Sequence, residues 1–212
     1  CYESVCKHSN QKIILLNDQN LADYIRLPDY IEKKKDAGQI PMAGYADLMR
    51  FALLEHYGGT WIDSTVYLTE PLPDTILNSD FFAVRNSLLL IDNPVLYPAW
   101  FLHAKKGNKT IREIRNVAFS YWLKNEHVIE YLLPNLIITL VVKSNPEVEK
   151  AIPYMNSDYS EYLVKVLADD YSEEKWNWIK KLTGIHKLTY KLSPDIEAEG
   201  TFYKALIENS IK

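Results

Sequence analysis

The chain has 212 residues, enough for one domain with a sizeable core, because a protein of this size buries roughly 70% of the surface that its unfolded chain exposes. Apolar residues make up 47% and charged residues 25% of the sequence, which is typical of a globular protein. The formal net charge of −4, with acidic and basic residues interspersed, argues against a nucleic-acid partner held by a broad basic surface.

The cysteines indicate the redox compartment of the protein, and the most apolar stretch indicates whether it could span a membrane. Cys1 and Cys6, the only two cysteines, match neither the spacing of a zinc site nor a disulfide framework, so we expect a reducing compartment such as the cytoplasm. Residues 128–142 form the most apolar stretch, but Glu130 and Pro134 interrupt it. Since it is also too short to span a bilayer, a buried helix is the better interpretation.

Hydrophobic periodicity and the positions of glycine and proline divide the chain into helices and strands. The best-marked helix covers residues 43–57, with Gly58 placed as a left-handed C-terminal cap. Strands that alternate with helices indicate an α/β domain with a mainly parallel or mixed sheet. The predicted elements are the end of a helix at 2–9, a strand at 12–16, helical pieces at 21–35, a helix at 43–57, strands at 60–68 and 80–85, helices at 109–124, 126–143 and 172–183, a strand at 185–192, and a helix of modest stability after Pro194.

The helix at 43–57 carries two charged residues on a surface that is apolar on nearly every side. Such a helix is normally buried. Asp47 and Arg50 are separated by three positions and can therefore face the same place. Two interpretations are equally compatible with this pattern: an intrahelical ion pair, worth about a few tenths of a kcal/mol, or a pair directed into a polar cleft.

Asp63 interrupts the strand predicted at 60–68, although aspartate is disfavoured inside strands. Strand alternation places Asp63 and Thr65 on one face. A carboxylate and a hydroxyl so placed can approach one Mg²⁺ ion, which neutralises a departing diphosphate. Ligands of open α/β sheets bind at the carboxyl ends of strands, and Asp63 lies within this one. The pattern therefore favours the cleft interpretation.

Three pieces of this region together resemble the capsular polysaccharide synthesis family of glycosyltransferases, relatives of the sugar transferases with a DxD motif. They are ADLMR at 46–50, YGG at 57–59 and WIDSTV at 61–66. A looser resemblance runs from Cys1 to Lys191, and it includes LPDY at 27–30 and HKLTY at 186–190.

The resemblance implies a GT-A-like fold, a Rossmann-related nucleotide-sugar domain with extra helices. We expect one domain over residues 1–212, with a donor-binding part at 1–90, a helical acceptor-side part at 91–170 and a return to the donor site at 171–192. The family usually begins with another strand, so we expect an N-terminally truncated chain that lacks this first strand.

The resemblance also implies roles for individual residues. Asp47 and Arg50 contact the donor sugar, and Asp63 contacts the nucleotide and its metal. Thr65 stands where many relatives carry the second Asp, which removes one charge from the metal site. The predicted catalytic residues are Asp47, Arg50 and Asp63, and the predicted donor-binding residues are Asp47, Arg50, Gly59, Asp63, Ser64, Thr65, His186 and Lys187.

His186 and Lys187 are assigned because transferases of this type often place a C-terminal His or Lys on the diphosphate, and His186 is also the second predicted metal ligand beside Asp63. A packed histidine with two solvated lysines, Lys187 and Lys191, is an equally good interpretation. No acidic residue can be nominated as an acceptor base. Asp158, Glu161, Asp169 and Asp170 lie in the acceptor-side part, but acidic surface residues are common.

The function implied is that of a retaining hexosyltransferase, which moves a sugar from a UDP- or GDP-linked donor to a lipid-linked oligosaccharide with the help of Mn²⁺ or Mg²⁺. We expect it in the cytoplasm, at the inner face of the cell membrane and in peripheral contact with it. Two alternatives stay open. A phosphohydrolase with an Asp63 nucleophile would want a second acid where Thr65 stands. A decayed, non-catalytic sugar-nucleotide-binding module would keep the binding residues alone.

Overall fold

The computed structural model describes residues 1–87, 93–192 and 194–208. The helices are α1 (Tyr2–His8), α2 (Leu21–Tyr24), α3 (Asp29–Asp36), α4 (Met42–Tyr57), α5 (Asp74–Leu77), α6 (Lys109–Lys124), α7 (Leu133–Lys143), α8 (Pro146–Ala151), α9 (Ser157–Ser160), α10 (Tyr162–Lys165), α11 (Glu173–Leu182) and α12 (Phe202–Ile207), with a 3₁₀ turn at Pro194–Glu197. The strands are β1 (Gly59–Ile62), β2 (Val66–Leu68), β3 (Phe81–Ala83), β4 (Phe101–Ala104) and β5 (Ile185–Lys187).

The chain forms two compact units, each built from separate stretches of sequence. Unit 1 consists of Cys1–Ile13, Asp63–Leu72 and Asn156–Lys212, and unit 2 consists of Ile14–Ile62 and Pro73–Met155. Unit 1 holds α1, β2, β5 and α9 to α12, while unit 2 holds the other helices and strands.

Unit 2 has a three-stranded antiparallel sheet in the order β1-β4-β3. All four residues of the central strand β4 are buried. The longest helices, α4 and α6, pack against each other, and Phe51 of α4 and Ile111 of α6 are both completely inaccessible to solvent. The core of unit 2 thus lies between a helical layer and a small sheet, with α4 leading directly into β1.

Unit 1 has a two-stranded antiparallel sheet, in which Val66 of β2 lies opposite Lys187 of β5. Its core is a cluster of apolar side chains from α10, α11 and α12 and their flanks: Leu163, Val166, Leu167, Trp176, Ile179 and Phe202. Helix α1 packs on β2, where the amide of Leu68 donates a hydrogen bond to Ser4 Oγ at 2.9 Å. Helices α9 and α10 pack on β5.

The mixed α/β architecture expected from the sequence is confirmed, and so are several elements. Helices α1, α4, α6 and α11 and strand β3 lie where they were predicted, and 21–35 contains two helical pieces. Polar side chains cap two of these helices: Asn108 accepts hydrogen bonds from the first turn of α6, and Ser172 accepts one from that of α11.

The prediction of a mainly parallel or mixed sheet is wrong, since every strand pair within the described residues is antiparallel. Parallel pairing needs a long crossover between two strands of one sheet. In unit 2, however, the long helices α6 and α7 come after all three strands and so provide no crossover between them.

Several elements also differ from prediction. Residues 12–16 form no strand, and Leu15 is 55% exposed, because an apolar run without a partner strand remains a surface loop. The helix predicted at 126–143 begins at Leu133, which places Pro134 in the first turn, where proline is tolerated. The strand at 185–192 stops at Lys187, and β4 was not anticipated. A further difference, a break in the strand predicted at 60–68, lies in the candidate site. No helix within 1–87, 93–192 and 194–208 is both long and apolar enough to cross a membrane.

Candidate functional site

The junction between α4 and β1 connects the helix that carries Asp47 and Arg50 to the predicted donor-binding residues that follow it in the chain. Helix α4 ends at Tyr57, and the amide of Gly58 closes it by donating to the carbonyl of Leu54. Gly58 has φ 72° and ψ −167°, so the positive φ expected of the cap is confirmed, but the backbone runs on extended into β1 instead of turning left-handed. A Cβ here would lie 2.5 Å from the amide nitrogen of Lys106, so only glycine fits.

Asp47 and Arg50 meet on α4, within unit 2. Arg50 Nη2 lies 3.2 Å from Asp47 Oδ1, and the two side chains are 9% and 16% exposed, respectively. The guanidinium also donates from Nη1 to the carbonyl of Ala99 and lies over the ring of Trp61, 4.9 Å from its centroid. Three contacts therefore fix the orientation of Arg50, and the ion pair of the first interpretation does form. Trp61 and Ala99 were not predicted as partners, because nothing in the helical pattern identifies them.

Asp63, Ser64 and Thr65 form a turn in the chain between β1 and β2, so the continuous strand predicted at 60–68 is wrong. The amide of Val66 donates to the carbonyl of Asp63 at 2.9 Å, which closes this turn. A strand interior is unfavourable for Asp and Ser, whereas both are common in turns. The shared face of Asp63 and Thr65 therefore cannot be derived from strand alternation.

Asp63 and Thr65, both in unit 1, nevertheless contact the same third residue, Lys187. Lys187 Nζ lies 3.3 Å from Asp63 Oδ2 and donates a hydrogen bond to Thr65 Oγ1. The side chains of Lys187 and Asp63 are 22% and 25% exposed, so solvent reaches this group of three, here called the Asp63 cluster. Three of the predicted donor-binding residues are thus in contact.

Glu161, between α9 and α10, lies near enough to the Asp63 cluster to be influenced by the Lys187 charge. Burial raises the pKa of the Glu161 carboxyl, Asp158 raises it further, and the charges of Lys165 and Lys187 oppose that change. No sequence signal distinguished Glu161 from Asp158, Asp169 and Asp170 of the acceptor-side part.

His186 is placed differently from Lys187. Its ring is completely buried within unit 1, where Nε2 lies 3.2 Å from Thr69 Oγ1 and the ring of Trp176 is 6.2 Å away between centroids. Burial lowers the pKa of His186 to about 4, so the ring is neutral at pH 7. Because successive strand residues point to opposite faces, His186 does not share the face of Lys187. The prediction that His186 joins Asp63 as a metal ligand is therefore corrected: it is a packed core histidine.

The two other predicted donor contacts are accessible to a ligand. Gly59, in unit 2, is exposed with φ 99°, and a Cβ added there would meet no atom within 4 Å. Ser64, in unit 1, is exposed in the middle of the turn.

The residues present do not fit the divalent cation that the resemblance to DxD transferases implies. The two predicted oxygen ligands, on Asp63 and Thr65, converge on the ammonium of Lys187, and a second positive ion in that position would be repelled. Across the part of the chain that the structure describes, no group of three or more His, Cys, Asp and Glu side chains is arranged to hold a metal ion.

The sequence matches the family model described as capsular polysaccharide synthesis protein over residues 1–206. No curated protein matches the chain significantly. Since the match covers nearly all of the sequence, the chain belongs to the capsular polysaccharide synthesis protein family.

Proposed function

We propose that this member of the capsular polysaccharide synthesis family is a glycosyltransferase, which moves a hexose from a nucleoside-diphosphate sugar to a hydroxyl of a lipid-linked oligosaccharide. The family indicates a part in capsular polysaccharide synthesis. The donor chemistry, the acceptor, the GT-A fold and retention of configuration are elements of the proposal. They come from the resemblance of residues 46–50, 57–59 and 61–66 to DxD-type sugar transferases.

The observation that carries the proposal is the Asp63 cluster. It places a fixed, solvent-accessible ammonium at the residues that match the donor-binding motif. Breaking the bond between a sugar and a diphosphate leaves negative charge on the departing phosphate oxygens. A positive group already oriented towards that charge stabilises the transition state more than the ground state.

Asp47 and Arg50 have a second part in the proposal, namely orienting the donor sugar. The three contacts of Arg50 hold the guanidinium in place, and the guanidinium in turn positions the Asp47 carboxylate. A carboxylate accepts hydrogen bonds from sugar hydroxyls, and those charge-assisted bonds are strong. The 16% exposure of the Asp47 side chain leaves part of it accessible.

We further propose that the protein works at the cytoplasmic face of the cell membrane, in peripheral contact with it, where a lipid-linked acceptor is available. A divalent cation is not required for any step of the proposed reaction, because the residues of the Asp63 cluster do not fit one.

The test is calorimetric titration of the protein with a panel of UDP- and GDP-linked sugars, followed by mass spectrometry of an oligosaccharide acceptor. We expect one donor to bind and a hexose to be transferred. Asp63→Ala should weaken donor binding by about tenfold or more, since the ammonium loses its charged partner and its orientation. Glu3→Gln is the control, because Glu3 is an exposed acid of unit 1 outside the cluster.

Each alternative predicts a different result. A protein that binds a nucleotide sugar but never transfers the hexose is a binding module. A protein that releases phosphate without transferring sugar is a phosphohydrolase. If no nucleotide sugar binds, or if Asp63→Ala binds as the unmodified protein does, the proposal is wrong.

A further inference from the structure

The Asp63 cluster places a positively charged side chain where DxD transferases are implied to hold their cation. Lys187 Nζ contacts Asp63 Oδ2 and Thr65 Oγ1, the same two oxygens that the sequence nominated as cation ligands. These contacts are between residues 124 and 122 positions apart in the chain, so they depend on tertiary structure and not on local sequence.

The backbone around Lys187 fixes it in this position. Strand β5 pairs with β2 in a single register, which sets Lys187 opposite Val66, directly after the turn. The amide of Leu188 donates to the carbonyl of Thr65 at 2.8 Å and so joins the strand to the turn on the other side of the cluster. Next to Lys187, the buried ring of His186 anchors β5 in the core. The lysine is therefore held in place before any ligand arrives.

The ammonium has the donors that such a role requires. A lysine carries three N–H groups, of which two are directed to Asp63 and Thr65. The third can be offered to a phosphate oxygen, and the 22% exposure of the side chain lets a ligand approach. Lysine binds phosphates as a compact point charge, which needs no special geometry of the phosphate group.

We propose that the Lys187 ammonium takes the place of the divalent cation in this protein: it bridges the Asp63 carboxylate and the diphosphate of the donor, so that donor binding and sugar transfer are independent of metal. This inference rests on the proposed glycosyltransferase function and specifies how that function is carried out. When the bond from the anomeric carbon to the diphosphate oxygen breaks, its electron pair passes to that oxygen, and the anomeric carbon forms a new bond to the acceptor oxygen. The acceptor's hydroxyl proton passes to the departing diphosphate, which Lys187 stabilises while remaining protonated. Asp63 and Thr65 act as positioning residues, because they hold the ammonium.

The first experiment compares donor binding and transfer by the unmodified protein in EDTA and in saturating Mn²⁺. We expect the affinity and the transfer rate in the two conditions to agree within about twofold. Loss of binding in EDTA that Mn²⁺ restores would overturn the inference and leave the glycosyltransferase function standing. If no nucleotide sugar binds in either condition, both proposals fail.

The second experiment uses Lys187→Ala, which vacates the space between Asp63 and Thr65. In EDTA, donor affinity should fall about 10- to 100-fold, as expected for the loss of a charged hydrogen bond. Mn²⁺ should then restore part of the affinity, since the two oxygens are open to a cation. A structural role alone would not create this gain of metal dependence. Mn²⁺ titrated without nucleotide and followed by electron paramagnetic resonance should bind the variant more tightly than the unmodified protein.

Two further variants keep the test decisive. Lys187→Arg preserves the charge and should keep most of the affinity in EDTA, even if Lys187→Ala folds poorly. Lys191→Ala is the matched control, because Lys191 is an exposed lysine just beyond β5 and outside the cluster. The inference is overturned if Lys187→Ala and Lys191→Ala bind the donor equally well in EDTA, or if Mn²⁺ does not improve donor binding by a folded Lys187→Ala protein.

Discussion

Two of the predicted site residues, Asp47 and Asp63, each form an ion pair with a basic side chain, but the two pairs arise differently. Asp47 and Arg50 are separated by three positions on α4, so the geometry of one helix in unit 2 brings them together. Asp63 and Lys187 are separated by 124 positions, and they meet in unit 1 only because β2 and β5 pair in one register.

The two pairs also differ in exposure, and this difference suggests separate roles. Arg50 and Asp47 are 9% and 16% exposed, and Arg50 has further contacts to Trp61 and to the Ala99 carbonyl. A charge in such a setting is costly when its partner is removed. Lys187 and Asp63 are more exposed, and ion pairs of that kind contribute little to stability. We therefore expect the first pair, besides its proposed role in orienting the donor sugar, to contribute more to stability than the second pair, which matters mainly for ligand binding.

The largest expected effect concerns the buried pair. Arg50→Ala should lower the free energy of unfolding by about 2–4 kcal/mol, because it leaves Asp47 with its ion-pair partner removed and abolishes the contact with Trp61. Urea unfolding followed by circular dichroism measures this. Arg112→Ala is the control, since Arg112 also pairs with a glutamate of α4 but is 49% exposed, and it should cost less than about 1 kcal/mol. Equal losses from the two variants would contradict the comparison.

A second prediction tests the junction that follows the buried pair. Gly58→Ala should destabilise the protein by about 2 kcal/mol, because φ is 72° and the added Cβ would lie 2.5 Å from the Lys106 nitrogen. Gly38→Ala separates the two causes, since Gly38 has the same φ of 72° and no atom within 4 Å of an added Cβ. If the close approach matters, Gly58→Ala must lower the unfolding free energy more than Gly38→Ala does in the same denaturation assay.

A third prediction concerns the histidine that anchors β5 beside Lys187. The pKa of His186 is lowered from 6.5 to about 4, so its neutral form is favoured in the folded state. Its contribution to stability is complete above pH 6.5 and is lost as the pH falls towards 4, at up to about 1.4 kcal/mol per pH unit, because the unfolded chain takes up the proton first.

The measurement is the unfolding free energy of the protein and of His186→Gln at several pH values between 4 and 7. The difference between the two proteins should shrink as the pH falls, since the variant cannot take up that proton. A difference that stays constant over this range would show that the ring is not buried in its neutral form. His56→Gln, on the exposed side of α4, controls for the general effect of removing a histidine.

The smallest expected effect on stability comes from the exposed pair. Lys187→Met should change the unfolding free energy by less than about 1 kcal/mol, because the side chain retains its aliphatic stem and its ion pair is open to solvent. The same variant should weaken donor binding about tenfold or more in EDTA. A loss of stability as large as that of Arg50→Ala would remove the distinction between the two pairs.

The elements that could be predicted from sequence are those whose signals are local. Helix α6 was predicted with its observed boundaries, and α11 to within one residue at each end, because charges and periodicity both lie within one segment. Strand β4 was missed, since its four residues, FLHA, are buried on both faces and show no alternation. Strand pairing, and with it the antiparallel direction, depends on contacts that no single segment contains.

In the candidate site, too, local sequence signals were sufficient to place some residues and not others. The helical period brought Asp47 and Arg50 together, and the motif identified Asp63 and Thr65. The sequence could establish only that His186 and Lys187, as neighbours on a strand, point to opposite faces. Which of them faces the core depends on the register of β5 against β2, and the imidazole, which can be neutral, is less costly to bury than the ammonium.

The division of unit 1 into three stretches has a consequence for protein synthesis. Residues 14–155, which contain all of unit 2, leave the ribosome before Asn156 and the residues that follow it. The sheet β1-β4-β3 can therefore form while β2 still lacks its partner β5, and Val66 and Leu68, completely buried in the finished fold, have no neighbouring strand during that interval. An unpaired apolar strand is prone to aggregation. We expect the Asp63 cluster to assemble late in biogenesis, and nascent chains that stall before residue 185 to depend most on chaperones.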